Sequence, residues 1–305
     1  MKNLMTRNIK KVIFIIGPTS IGKTRIGIEI AKTLRSEIIS CDSRQFYKEL
    51  KIGSAPPNKK ELSLVKHHFI HHLSVKEDYN VGLFEIDAIK LIKKLHNTND
   101  NIIIVGGSGL YIDAICKGFD ILPEISRQIR TRTNSEYESK GLSWLQKEVQ
   151  KIDPEGYSNY DPYNARRLLR ILEVYYETGK TISSFKSKKI KRRPFEIIKI
   201  GLNIDRKKLY QWINQRVDKM MKEGLLEEVI SLQEFQHKNA LQTVGYKELF
   251  TFLKNKCTLH EAVENIKKNT RRYAKRQLTW FRKDKEINWF EPNQFLKIKK
   301  LISKS

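Results

Sequence analysis

Two rhythms of apolar residues alternate along the first part of the chain. Val12 to Ile16 is an unbroken β-branched and aromatic run, which predicts a buried strand. After the loop "GPTSIGKT", the stretch "TRIGIEIAKTLRS" places Ile26, Ile30 and Leu34 at helical spacing. A second short strand, "EIISC", runs up to Asp42, and a third, "NIIIV" from Asn101, ends in Gly106-Gly107-Ser108. Between them "NVGLFEIDAIKLIKKLH" sets Phe84, Ala88, Leu91 and Leu95 on one helical face. Strands alternating with helices predict an α/β fold, a parallel sheet covered on both sides.

The rhythm changes at about Gly118. Up to about Arg193 there are helical patterns such as "RRLLRILEVYYETGK" and no strand-like run, ending in the densely charged loop "FKSKKIKRRP", which predicts a solvated or nucleic-acid-facing linker. "FEIIKIGLNID" then reads as a strand that returns the chain to the sheet. Two long helices follow, "RKKLYQWINQRVDKMMKEG", stopped by Gly224, and "TLHEAVENIKKNTRRYAKRQLTWFRKD". The expected organisation is a core from residues 1–118, an all-helical insertion over 119–193, and a return over 194–305 that carries basic helices.

Charge narrows the function. Lys and Arg number 59 against 34 Asp and Glu, a net +25, which is far more than solubility requires and points to a polyanion, nucleic acid first. The three cysteines, Cys41, Cys116 and Cys257, form no paired framework, so a reducing cytoplasm is expected. The start, "MKNLMTRNIKKVIFII", mimics a secretory leader, but its apolar run turns straight into the glycine loop and reads as a strand. No run approaches the ~18 apolar residues of a membrane span.

The glycine loop supplies the chemistry. Gly17, Pro18, Thr19, Ser20, Ile21, Gly22, Lys23 and Thr24 match the phosphate-cradling pattern G-x-x-x-x-G-K-[ST], with a strand before it and a helix after it. Backbone N–H groups and the helix N-terminus make an anion nest, Lys23 neutralises phosphate oxygens, and the Thr24 hydroxyl is a ligand for Mg²⁺. A nucleoside triphosphatase would also need an acid after a neighbouring apolar strand. "IIIV" instead ends in "GGSGLY", and the acid at a strand end is Asp42 in "CDSRQFY". Asp42 could serve near a metal, as a base, or as the N-cap of a following helix. Ser108 has the same choice between a helix cap and a hydroxyl aimed at a phosphate.

At this point the motifs carry a resemblance. "GPTSIGKT", "CDSRQFYKELKIGSAPP", "GGSGLY", "NARRLLRILEVYYETGK", "INQRVDKMMKEGLLEEV", "QTVGYKEL" and "KRQLTWFRKD", in this order, resemble the bacterial tRNA dimethylallyltransferase family along nearly the whole chain. The resemblance implies a P-loop NTPase-like sheet and transfer of a dimethylallyl group from dimethylallyl diphosphate to N6 of adenine 37 beside the anticodon of tRNA. The cradle would then hold the diphosphate, with Mg²⁺, as a leaving group. Asp42 is well typed as the base for the N6 proton. Ser108 takes the place of a Thr hydroxyl that touches the reacting groups, and Arg216 that of an Arg reaching the diphosphate. The target base must be flipped out of its stack.

The same resemblance implies tRNA contacts at Asp42, Ser43, Arg44 and Gln45, at Arg130, at Arg166, Arg167, Leu168, Leu169 and Arg170, and at Gln242, Thr243, Val244, Gly245, Tyr246 and Lys247. Ser108 is expected to meet the tRNA as well. On the last long helix Arg272, Arg276 and Lys283 lie near one face, with Tyr273, Gln277 and Trp280 on a neighbouring one. The plain alternative is a solvated basic face above a buried aromatic stripe. With the charge of the chain and the family pattern, RNA contact through Arg272, Lys275, Arg276 and Gln277 is expected.

"KHHFIHH" spaces His67 with His71, and His68 with His72, four apart, but no Cys or repeated carboxylate completes a metal set. Trp144 reads as core. Many relatives have Thr at Ser108, and some have Arg at Trp212. Eukaryotic relatives append a zinc finger, whereas this chain ends "FLKIKKLISKS", so the bacterial form is expected, as a cytoplasmic monomer. Two rival classes are a small-molecule or nucleoside kinase using ATP in the same loop, and an RNA-binding module with a vestigial loop.

Overall fold

The computed structural model describes residues 9–120, 122–185 and 191–304. At its centre is β1 (Lys11–Ile16), paired in parallel with β4 (Asn101–Gly106) on one side and β5 (Glu196–Leu202) on the other. With β2 (Ile38–Ser40), β3 (His67–His68) and β6 (Ile287–Phe290) they form one six-stranded sheet, order β3-β2-β4-β1-β5-β6, all parallel. The unbroken apolar run of β1 has a simple cause, since both faces are covered. Val12, Phe14 and Ile16 join a cluster with Phe84 and Ala88 of α3 (Val81–Leu95). Ile13 and Ile15 join another with Ile26 and Ile30 of α1 (Lys23–Thr33). On α3 it is Ile92, and not the half-buried Leu91, that completes the buried face.

The sheet order places a switch at β1. Chain leaving β1 builds the β4, β2 and β3 side, and only after the helical insertion does it build the β5 and β6 side. In open parallel sheets, ligands bind beyond the carboxyl ends of the strands at such a point. The loops after β1, β2 and β4 therefore gather in one place.

β6 is not foreshadowed by the apolar pattern. Its start is pinned by Lys199, a buried cation in the middle of β5 whose Nζ donates to Asp284 and Glu286, both at 2.7 Å. The helices α2 (Lys59–Leu64), α4 (Gly109–Lys117), α8 (Arg206–Lys222), α9 (Leu225–Ser231), α10 (Tyr246–Leu253), α11 (Leu259–Phe281) and α12 (Phe295–Lys304) complete this unit.

The described residues of Gly118–Lys191 form a second compact unit, helical throughout. It consists of α5 (Arg127–Ile152), kinked at Gly141, of α6 (Pro154–Tyr157), and of α7 (Ala165–Thr178). Leu145, Val149, Leu168, Ile171 and Leu172 make a core of its own. Trp144 packs half-buried against this core under the Lys140 ammonium. Residues 186–190 of the basic loop, and residues 1–8, lie outside the described residues.

In "KHHFIHH", His68 bonds to Glu37 and His67 Nδ1 to the Val65 carbonyl, while His72 is set among the rings of Phe46, Phe69 and Tyr79. Among the described residues no helix is long and apolar enough to cross a membrane.

Candidate active site

The loop between β1 and α1 is shaped by backbone conformation. Ser20 and Gly22 sit in the left-handed region, at φ 65° and 89°. A side chain on Gly17 would place its Cβ 2.6 Å from the Leu202 carbonyl at the end of β5, so only glycine lets the two backbones approach. Gly22, at the N-cap of α1, offers no side-chain cap, so the first N–H groups of that helix are open to an anion. Lys23 Nζ folds back to donate to the Pro18 carbonyl at 2.8 Å. Burial pushes its ammonium down to about 8; Asp42 opposes the shift and Arg216 adds to it. The Ser20 hydroxyl is buried with no partner.

A side chain from the far end of the chain braces this loop. Gln277 of α11 accepts the Thr19 N–H through Oε1 (2.9 Å) and donates through Nε2 to the Gly107 carbonyl (2.8 Å). It thereby ties the loop after β1 to the loop after β4.

Asp42 follows β2 and is not a helix cap, because the residues after it form turns. One carboxylate oxygen accepts the Arg44 N–H at 3.1 Å, and the side chain borders the cavity above Lys23. Ser108 precedes α4, and its hydroxyl turns away from that helix to accept the Ser43 N–H at 3.2 Å. It also bonds to Tyr273, whose phenol is raised by burial and by Asp42. Tyr273, and not Ser108, lines the neighbouring cavity. Its i, i+4 spacing to Gln277 is visible in the sequence, but only the packing of α11 against these loops brings it to the site.

Two cavities meet here. One, of about 280 Å³, is lined by the cradle residues Thr19, Ser20, Lys23 and Thr24 together with Trp212. The other, of about 240 Å³, has an apolar wall of Ile213, Val217, Met220, Leu225, Val244 and Ile266. Thr19, Asp42, Ser54, Ala55 and Arg216 line both. Arg216 donates to Thr19 Oγ1 (3.4 Å) and to the Ala55 carbonyl (3.3 Å). Burial lowers its guanidinium, Asp42 opposes that shift, and the group remains charged. The arrangement is an anion cradle opening into a chamber with one apolar wall, with a carboxylate and a guanidinium at the junction.

A family model described as IPP transferase matches residues 45–284. A tRNA dimethylallyltransferase of Christiangramia forsetii is 52% identical over 280 residues, which is 92% of this chain and 93% of that protein. The chain belongs to the tRNA dimethylallyltransferase family. It is a transferase of the prenyl-transfer class. The relative from Flavobacterium johnsoniae is 48% identical over 289 residues, 93% of this chain and 94% of its own. Among solved structures, the full-length tRNA isopentenylpyrophosphate transferase of Bacillus halodurans matches with a TM-score of 0.72 and 34% identity over 97% of this chain and 96% of that one. A eukaryotic dimethylallyltransferase acting on tRNA gives 0.76 at 28% identity, over 92% and 74%.

Of the tRNA contacts that the family resemblance implies, Arg130, Arg166 and Arg167 are exposed on the helical unit, whereas Arg170 donates to the Pro123 carbonyl. Arg272, Lys275 and Arg276 are exposed on α11 and line a groove with Thr279, Trp280 and Lys283. Ser43, Arg44, Thr243, Val244 and Gly245 line the second cavity, and Lys247 is exposed. Leu169 is half-buried against the insertion core, Gln45 donates to the Ala55 carbonyl, and Gln242 donates to the Gln236 carbonyl.

Three of the expected contacts are inside the protein. Leu168 is in the insertion core because it faces α5, Tyr246 is fully buried with its hydroxyl on Glu228, and Gln277 is occupied by the cradle.

Proposed function

We propose that the chain transfers the dimethylallyl group of dimethylallyl diphosphate to N6 of adenine 37 in tRNA and releases diphosphate. The observation that carries this reading is the pair of cavities joined at Asp42 and Arg216. A donor with a diphosphate head and a five-carbon apolar tail fits a cradle opening into a chamber with an apolar wall.

The allylic C1–O bond breaks and its electron pair leaves with the diphosphate, where Lys23, the loop N–H groups and Arg216 oppose the growing charge. The bond from C1 to N6 forms, and the N6 proton passes to the Asp42 carboxylate. Tyr273 and Ser43 border the path by which a flipped base would reach that carboxylate.

Mg²⁺ belongs to this reading. Thr24 borders the cradle cavity and carries a hydroxyl oxygen of the kind Mg²⁺ accepts. Bound there, the ion would offset charge on the departing diphosphate. Among the described residues no group of three or more acidic, His or Cys side chains could hold a metal alone, so diphosphate oxygens would complete the shell. The exposed arginines of the helical unit and the basic groove of α11 are the proposed tRNA footprint.

Incubation of the protein with tRNA and dimethylallyl diphosphate tests the reading. N6-alkylated adenosine at position 37 and stoichiometric diphosphate are expected; ADP release from ATP in its place would move the chain to the kinase class.

A further inference from the structure

We propose that Glu228 is a positioning residue for Arg216, acting through the loop of residues 51–55. The inference rests on the reading of Arg216 as the guanidinium that meets the diphosphate.

Glu228 sits on α9 and does not line either cavity. Its two carboxylate oxygens are fully employed nonetheless. Oε2 accepts the N–H groups of Lys51 (2.8 Å) and Ile52 (2.7 Å), and Oε1 accepts the Gly53 N–H (3.0 Å) and the Tyr246 hydroxyl (2.6 Å). Three consecutive backbone donors converging on one carboxylate make a nest with its anion built in. Tyr246 is held as a neutral donor, because burial first and the Glu228 charge second raise its phenol far above the ordinary value. Its ring also packs where a side chain on Gly53 would stand. The loop is thus clamped from two directions.

The clamp bears on Ala55, two residues further along the same loop. Ala55 adopts the left-handed conformation, φ 47°, which a non-glycine residue keeps only when its surroundings impose it. This conformation aims the Ala55 carbonyl at the junction of the cavities, where it accepts from Arg216 Nη2 (3.3 Å) and from Gln45 Nε2 (3.1 Å). The guanidinium therefore has one fixed acceptor behind it, and that acceptor's place depends on the carboxylate of Glu228. Without the clamp, Ala55 relaxes toward an ordinary conformation and Arg216 loses the anchor that keeps its other nitrogen near Thr19.

A double-mutant cycle on single-turnover transfer tests this. Glu228→Gln, which sets an amide NH₂ against backbone N–H groups, should slow transfer about tenfold with tRNA affinity unchanged. In an Arg216→Lys background the same substitution should cost less than about twofold, because the group it positions is already gone. Tyr246→Phe removes one of the four donors, keeps the buried ring, and should show the same pattern with a smaller effect; it decides the matter if Glu228→Gln does not fold. Equal slowing in both backgrounds, or a folded Glu228→Gln at parental rate, would overturn the relay. Should Arg216→Lys itself transfer at the parental rate, the assignment of Arg216 fails, and the relay with it.

Discussion

The Thr19 N–H, in the phosphate loop, donates to the side chain of Gln277, 258 residues later in the chain, at 2.9 Å. Gln277→Leu would strand the buried Gly107 carbonyl, at a cost of about 1–3 kcal/mol, and remove the acceptor of the half-buried Thr19 N–H. The expected outcome is a lower melting temperature and a raised KM for the donor. Binding of tRNA, measured by filter retention without donor, should stay at the parental level; a parallel loss would return Gln277 to the RNA surface.

Asp42→Ala should slow transfer by about 10²- to 10⁴-fold, as expected for loss of a general base. Inorganic pyrophosphate should still compete with the donor, because the cradle is intact. Single-turnover transfer within about threefold of the parent would exclude Asp42 as the base.

Lys23 gives the donor affinity a pH dependence with a definite sign. Its ammonium, lowered to about 8 in the free protein, loses its proton as the pH rises through that value, and the diphosphate prefers the charged form. The KM for the donor should therefore be flat below about pH 7 and climb by up to about tenfold per unit above pH 8. In Lys23→Ala the KM should be high throughout and that slope absent. A slope unchanged in the variant would assign the titration to another group.

Replacing Arg272, Lys275 and Arg276 with Gln should weaken tRNA binding about equally for good and poor substrates. Each lost phosphate contact should lower the slope of log affinity against log salt by roughly 0.7 to 0.9. Donor affinity should not move. If the triple variant keeps both tRNA affinity and salt slope, the footprint lies on the helical unit, with Arg130, Arg166 and Arg167.

The sheet is legible wherever a strand is covered on both faces, since β1 and β4 are continuous apolar runs. Lys199 interrupts the apolar run of β5 and makes sense only with Asp284 and Glu286, whose approach is a tertiary event. β6 is hidden for the same reason, as four residues after a charged stretch have no periodicity to read. In the site, the cradle loop can be read from local pattern because phosphate chemistry demands its residues at fixed spacing, whereas Asp42 is only an acid at a strand end until the fold sets it beside the cradle cavity. Glu228 and the buried Tyr246 cannot: the one looks like a solvated helix acid, and the other sits in a motif whose neighbours face the cavity.

The crossed architecture of the cradle bears on synthesis. Its loop leaves the ribosome early, yet Gly17 rests against Leu202 and Thr19 against Gln277. A nascent chain carrying the loop, β2 and β4 has the phosphate motif but not its walls, because β5 and α11 emerge much later. Pairing of such distant segments is slow relative to local helix formation. On the proposed function, the cradle is therefore complete for the prenyl donor only after β5 and the basic helix α11 have been made and have packed against the loop.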